Sequence, residues 1–347
     1  MQKQKDKDLI VIDGSFGEGG GQILRTALLL SIAMGKGFEI SNIRAKRPKP
    51  GLLHQHLAAV NAFTKVTSST VLGGELGSTN LRFIPGKVVA DKVRIDVGTA
   101  GSITLILATL LPALSISGAE VSIQITGGTD TKWSPTYDYF ENVVLQLYNR
   151  IGVRTSSRLV KRGYYPAGGG EVSAEIHRSE KLFGLKSIEK QDKVVRGRSV
   201  CSILPLQVAE RQAESARRLL QENGIMVDDI EVRRDPASSP GTAIALWHVD
   251  AASGIFVGSD AVGERGLLAE EVGRRAAVAF VRARRAPLDP HIADVAIPLL
   301  ALAHETSEIV FPEVTGHIRS NIYTAELFTK RRFELLEGKE LAKLCIY

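Results

Sequence analysis

VIDGSFGEGGGQILRTALLLS, residues 11–31, joins a short apolar strand (Leu9 to Ile12) to a run with Ile23, Leu24, Ala27, Leu28 and Ile32 at helical spacing. Between them lie five glycines in eight positions: Gly14, Gly17, Gly19, Gly20 and Gly21. Glycine permits positive φ and close approach of backbone N–H groups to a ligand. A glycine loop that feeds a helix N-terminus is therefore a natural anion site, since free N–H groups and the helix dipole both point at it. Glu18 sits inside the loop and Arg25 one turn into the helix. A carboxylate beside a phosphate-friendly loop suggests a divalent metal held between them, with Glu18 as ligand. The alternative is a structural turn with a solvated Glu18. The spacing matches neither the Walker A nor the dinucleotide-binding pattern.

Outward from this stretch, the chain is long enough for a sizeable core and more than one domain: 347 residues, 44% of them hydrophobic. The net charge of +6 permits an anionic partner such as a nucleotide or nucleic acid without selecting one. Two cysteines far apart, Cys201 and Cys345, exclude a disulfide framework or a cysteine zinc site and fit a reducing compartment. The polar N-terminus MQKQKDKD lacks the apolar core of a signal peptide. The longest apolar run, residues 103–116, is interrupted by Pro112 and too short to span a membrane. The expectation is a soluble cytoplasmic protein with no membrane partner.

Three segments repeat one order of elements. The first has the loop at Gly19, a helix over 22–34, a strand over 38–43, the basic loop 44–51 (RAKRPKPG) and a helix over 52–65. The second has a loop at Gly98, a helix over 102–115, a strand over 120–126, the loop 127–136 and a helix over 137–151. The third has a helix over 291–304, a strand over 308–312, the loop 313–317 and a helix from about Ser320 to Lys330. Such recurrence predicts an internal repeat. Units sharing a centre would bring their equivalent loops together: 44–51, 127–136 and 313–317. In the first of these the prolines hold Arg44 and Arg47 on a loop, just before Gln55 and His56. This reads as a phosphate-binding rim or as a solvated charge run.

The third unit arrives late because a compact α/β stretch intervenes. Strands are expected over 199–204, 230–233, 243–249 and 254–258, and helices over 207–223 and 267–284. Residues 185–285 are thus expected to form a small inserted domain, and 1–184 with 286–347 a large discontinuous one. The charges of the insert look like surface charges, with no catalytic constellation. RGYYPAGGGEV (162–172) reads either as a site-shaping loop or as a hairpin turn.

Among seven histidines, none shows metal-ligand spacing. His291 and Asp294 share a helix face. His317, in TGHIRSN, ends the third-unit loop, where the shared-centre geometry would aim it at the glycine loop. A neutral imidazole can attack phosphorus to give a phosphoramidate; a loop histidine bonded to a backbone carbonyl is the other reading.

The blocks DGSFGEGGGQILR, IRAKRPKPGLLHQH, GTAGSITLILATLLPAL, GGTD, YYPAGGGEV, HIADVAIPLLALA and GHIRSN, in this order, resemble the RNA 3′-terminal phosphate cyclase family over nearly the whole chain. The resemblance implies an α/β fold: a large domain of three repeated units, two helices packed on a four-stranded sheet each, plus a smaller inserted α/β domain. It implies a ligase-type reaction with ATP and Mg²⁺ or Mn²⁺ on RNA with a 3′-phosphate end. Histidine is adenylylated, AMP passes to the RNA 3′-phosphate, and the 2′-hydroxyl displaces AMP to give a 2′,3′-cyclic phosphate. The implied nucleophile is His317, followed by Ser320 and Asn321 where the family motif has Thr-Asn. Glu18 matches the metal ligand, Arg25, Arg44 and Arg47 the catalytic arginines, and Gln55 with His56 the Gln-His pair. Pro135 and His291 match the adenine-stacking pair, with histidine in place of the family's tyrosine, and Asp294 is retained. Ala108 stands where glutamine is common. The family also holds non-catalytic cyclase-like RNA-binding proteins of ribosome assembly, which lack the nucleophile; a plain RNA-binding scaffold and an enolpyruvyl-transferase-like enzyme are the other readings of repeated α/β units.

Overall fold

A computed structural model describes residues 9–98, 100–187 and 194–347. The N-terminal octet and residues 188–193 of the expected insert lie outside the described residues. The first unit runs β1 (Ile10–Asp13), α1 (Gln22–Met34), β2 (Phe38–Ser41), α2 (His54–Val66), β3 (Thr70–Leu72) and β4 (Leu81–Ile84). Its sheet order is β1-β2-β4-β3, with β1 and β2 parallel and the rest antiparallel. The second unit follows the same plan: β5 (Lys92–Asp96), α3 (Ile103–Ile116), β6 (Val121–Gly127), a helical segment, β7 (Thr155–Lys161) and β8 (Gly170–Ile176). Its order β5-β6-β8-β7 and its parallel first pair repeat the first unit. The helix expected over 137–151 is α4 (Tyr137–Tyr139), a π-wound stretch Phe140–Val144, and α5 (Leu145–Ile151).

The small α/β stretch comes next: β9 (Val195–Ser202), α6 (Gln207–Glu222), β10 (Val227–Arg234), β11 (Gly241–Asp250), β12 (Ile255–Val262) and α7 (Ala269–Ala283). Its sheet, β10-β9-β11-β12, covers a hydrophobic cluster of its own. The helical period explains why α6 docks there: Ala209, Ala213, Ala216 and Leu220 are its buried face. The third unit comprises α8 (Pro290–Leu302), β13 (Ser307–Phe311), α9 (Gly316–Phe328), β14 (Phe333–Glu337) and β15 (Ala342–Ile346). Its sheet has three strands among the described residues, β13-β15-β14. Lys186 bridges Glu308 in parallel, in the place β1 and β5 take in the other units. The small stretch thus interrupts the third unit after its first extended segment, and Leu185 to Ser187 pair with β13.

α1 packs on α3 and on α9, and α9 packs on α8, so helices of all three units meet in one core. Two expectations are corrected. The last helix starts at Gly316, not Ser320, because Thr315 caps it: its Oγ1 accepts the Ile318 N–H at 3.1 Å. The strand expected over 38–43 stops at Ser41, where Asn42 and Arg44 take left-handed φ. The hairpin β14–β15 lies beyond the last element expected from sequence.

Candidate active site

The N-terminus of α9 carries His317 at its second residue, so the imidazole projects from a capped, fixed turn rather than from a loose loop. Its Nδ1 lies 3.2 Å from Asp294 Oδ2, and its Nε2 lies 2.9 Å from Glu18 Oε1. Asp294 is buried on α8, and its other oxygen accepts the Thr315 hydroxyl at 3.1 Å. A carboxylate can only accept, so Asp294 holds the proton on Nδ1, while Nε2 faces a second acceptor, Glu18 Oε1. The Asp294 hydrogen bond raises the His317 pKa above the ordinary value, against burial. Burial in turn holds the Asp294 carboxyl above its usual range, against its bond to His317.

Glu18 reaches this point because the glycines around it leave room. A Cβ at Gly20 would lie 2.3 Å from Glu18 Oε1, and one at Gly316 would lie 3.1 Å from Glu18 Cβ. Its Oε2 pairs with Arg47 at 3.0 Å. Oε1 is buried and has no hydrogen-bond donor beyond the ring nitrogen of His317 within ion-pair range. When that nitrogen is neutral, two acceptors face each other, and a cation at Oε1 would resolve the conflict. Among the described residues no cluster of three His, Cys, Asp or Glu side chains could hold a metal by itself. One free carboxylate oxygen fits a hard ion whose remaining ligands come from phosphates and water.

Behind the histidine, Asn321 is buried and locks α9 to its neighbours. Its Nδ2 donates to the Asp294 carbonyl at 2.8 Å, and its Oδ1 accepts from Thr26 at 2.6 Å and from Gln22 at 3.1 Å. Gln22 also accepts from Arg25 at 2.7 Å. Burial lowers the Arg25 pKa to about 10, opposed by Glu18 and Asp294; it stays a cation at neutral pH. Gln22 stands in the GGGQ block but was not singled out by the sequence reading.

A cavity of about 770 Å³ opens beside His317. Gln22 and Arg25 come from the first unit, Ala108 and Pro135 from the second, and His291, Asp294 and His317 from the third. His291 lies edge-on to Tyr139 at 5.5 Å, with its Nε2 buried and unpartnered. Burial, then the charges of His317 and Arg25, pushes its pKa down to about 4. The cavity is therefore lined by the neutral imidazole of His291 and by Pro135, with the Arg25 guanidinium and the His317 imidazole also facing it.

The small α/β stretch closes this cavity, contrary to the sequence reading of it as bare surface: Asp260 of β12, Arg282 of α7 and Arg285 line it. Trp133, 95% exposed with φ +60°, stands at its rim. The other predicted residues lie outside. Arg44 donates to the carbonyls of Lys49 and Gly51, fixing the basic loop. Gln55 lines a separate small crevice with Arg25. His56 is buried behind the glycine loop, its Nδ1 accepting the Leu53 N–H at 3.2 Å. Burial, with Arg25 and Arg44 nearby, pushes its pKa down to about 3, so it is a neutral packing group.

The family profile described as RNA 3′-terminal phosphate cyclase matches residues 16–335. The chain belongs to the RNA 3′-terminal phosphate cyclase family. A protein of Archaeoglobus fulgidus called RNA 3′-terminal phosphate cyclase is 44% identical, over 92% of this chain and 95% of its own. Proteins of the same name from Pyrobaculum aerophilum and Methanopyrus kandleri are 43% and 42% identical, over 94% and 96% of this chain and the same shares of theirs.

Proposed function

We propose that this protein converts the 3′-terminal phosphate of RNA to a 2′,3′-cyclic phosphate at the expense of ATP. The observation that carries the mechanism is His317, held between Asp294 and Glu18 at the mouth of a cavity that Arg25 also lines. Nε2 attacks the α-phosphorus of ATP; the P–N bond forms, the bond to pyrophosphate breaks, and the ring charge is balanced by Asp294 through Nδ1–H. A 3′-phosphate oxygen of the RNA then attacks the same phosphorus, the P–N bond breaks, and neutral His317 is restored. Finally the 2′-oxygen attacks the terminal phosphorus, AMP leaves, and one proton is released. Arg25 and Arg47 stand where charge builds on the phosphates, and Arg44 holds the loop that presents Arg47. A divalent cation, Mg²⁺ or Mn²⁺, bound at Glu18 would neutralise phosphate oxygens and favour pyrophosphate as leaving group. Pro135 and His291 flank the base of ATP, and Asn321 holds Asp294 in place. Gln55 and His56 support Arg25 and the glycine loop.

The reading divides the chain into a large catalytic domain, 1–184 and 286–347, and a small one, 185–285. The pairing of Leu185–Ser187 with β13 supports a start of the small domain a few residues later. Two buried, unbridged cysteines support a reducing, cytoplasmic setting, and among the described residues no helix is long and apolar enough to cross a membrane.

The test incubates the protein with α-phosphate-labelled ATP and Mg²⁺ or Mn²⁺, then denatures it. An alkali-stable, acid-labile label on the wild type that is absent from His317→Ala is expected. No label on folded wild type would move the reading to a non-catalytic RNA-binding member of the family.

A further inference from the structure

Phe16 lies two residues before Glu18 on the glycine loop, so their Cα atoms are within about 7 Å. A single exposed aromatic is ordinary. This one is stacked on Tyr323 of α9, with ring centroids 4.1 Å apart and planes 14° from parallel, yet it remains 41% exposed. Tyr323 packs against the main core, whereas Phe16 belongs to neither hydrophobic cluster. The lower ring is also fixed at its far end, because the Tyr323 hydroxyl accepts the Asp13 N–H at 3.1 Å. Asp13 in turn is bonded by the Ser15 N–H and hydroxyl and by Asn42 Nδ2. The result is a rigid two-ring stack with one covered face, at the edge of the reacting centre.

The charges around it indicate what the open face takes. Lys46 donates to the carbonyl of Gly17, next to Phe16, at 2.9 Å, and Arg47 pairs with Glu18. The loop therefore sits against the basic rim. Neither Phe16 nor Tyr323 lines the large cavity, so the base of ATP, which enters that cavity, is not the occupant. An aromatic face beside a basic rim suits a nucleobase whose backbone is held by the cations, and base–aromatic stacking accepts any base.

Resting on the cyclase reading, we propose that Phe16, backed by Tyr323, is the stacking platform for the 3′-terminal base of the RNA. It positions the terminal ribose and its phosphate over His317 and acts as a positioning residue, touching no reacting atom.

The experiment measures affinity and steady-state kinetics with two oligonucleotides ending in a 3′-phosphate. One carries a normal terminal nucleoside, the other a terminal ribose with hydrogen in place of the base. Each is compared with its 3′-hydroxyl form. On the wild type, removing the base is expected to weaken binding roughly tenfold. On Phe16→Ala removing the base should cost nothing further, and Phe16→Trp should restore the sensitivity. The ratio is taken within each variant, so a general loosening of the loop cancels. Should Phe16→Ala not fold, Phe16→Leu keeps an apolar body on Tyr323 without a π-face and carries the same expectation. Equal base sensitivity in wild type and variant, or none in the wild type, overturns the platform. If the wild type discriminates 3′-phosphate from 3′-hydroxyl while base and Phe16 are uncoupled, only the platform fails. If it does not discriminate them, the cyclase reading fails and the platform with it.

Discussion

In the proposed mechanism the two ring nitrogens of His317 do different work, and the Asp294 contact at 3.2 Å selects which one attacks. Asp294→Asn places an amide opposite Nδ1; if its NH₂ donates, the proton moves to Nε2 and the attacking lone pair is lost. The rate of histidine adenylylation in a single turnover should fall by roughly 10²–10⁴ with the fold intact, a scale known from serine-protease triads. An unchanged rate would remove Asp294 from the mechanism. His291 offers a second residue-level test. Burial depresses its pKa to about 4, below the ordinary 6.5. A depressed folded-state pKa means that the unfolded chain binds the extra proton first. The stability His291 contributes is therefore complete above pH 6.5 and is lost as pH falls towards 4, by an amount on the order of 3 kcal/mol. His291→Tyr should shrink this acid limb, leaving the part due to His56, which shifts in the same direction. It should also lower KM for ATP several-fold if the ring stacks on the base. Unfolding midpoints against pH for both proteins check the first outcome, and steady-state kinetics the second.

On the scale of elements, the glycine loop is shaped by what stands behind it. Gly21 precedes α1 with φ −80°, so no unusual backbone demands glycine there. The demand is steric: a Cβ would lie 2.1 Å from His56 Nε2. Gly21→Ala should destabilise by about 1–3 kcal/mol through overpacking. In a double-mutant cycle, Gly21→Ala with His56→Ala should be less damaging than the sum of the two, because the clashing ring is gone. Additive shifts in Tm would show that the contact does not matter. Glycine spacing signalled close approach at this loop, and at Gly21 the approaching group is the His56 ring. The spacing could not name that group, because His56 comes from another helix. The same limit applies to α9. The Thr315 cap was visible as a helix-start residue, yet the loop reading placed the start at Ser320. Strands β14 (FELLE) and β15 (AKLCI) show no strict alternation of apolar and polar residues, so period-2 patterning does not mark them.

Across the whole molecule, the second unit and the small α/β stretch are joined by buried charge. Arg162, fully buried, holds Asp130 and Asp138 of the second unit at 3.1 and 2.6 Å and Asp235, just past β10, at 2.8 Å. Arg198 of β9 extends the network to Asp138 at 2.8 Å. Burial opposes the Arg162 charge, and the carboxylates of Asp130 and Asp138 outweigh it, holding the guanidinium above its ordinary range. Arg162→Met would strand these carboxylates and should cost about 3–5 kcal/mol. Without the cation the pKa of the Asp130 carboxyl, already raised by burial, rises further. A carboxyl with a raised folded pKa favours folding at low pH, and that contribution is lost as pH rises. The deficit of the variant should therefore be smaller at pH 5 than at pH 8 in thermal unfolding. An equal deficit at both would mean that the network is not carrying charge. Of the two readings of RGYYPAGGGEV the hairpin holds: the segment joins the antiparallel β7 and β8, and its first residue, Arg162, pairs with Asp130 and Asp138.

The sequence alone determined the repeated α/β order, the glycine loop with Glu18, the basic rim and His317 as a candidate nucleophile. These are local signals: periodicity, turn residues and residue types along one continuous segment. The tertiary structure alone decided that His317 meets Asp294 and Glu18, and that Arg44 and His56 brace loops. It also decided that Arg282 and Asp260 close the cavity and that Phe16 stacks on Tyr323. Apart from Arg44, which bonds within its own loop, these contacts join residues far apart in the chain, and packing of separate elements, not any pattern within one of them, brings their side chains together.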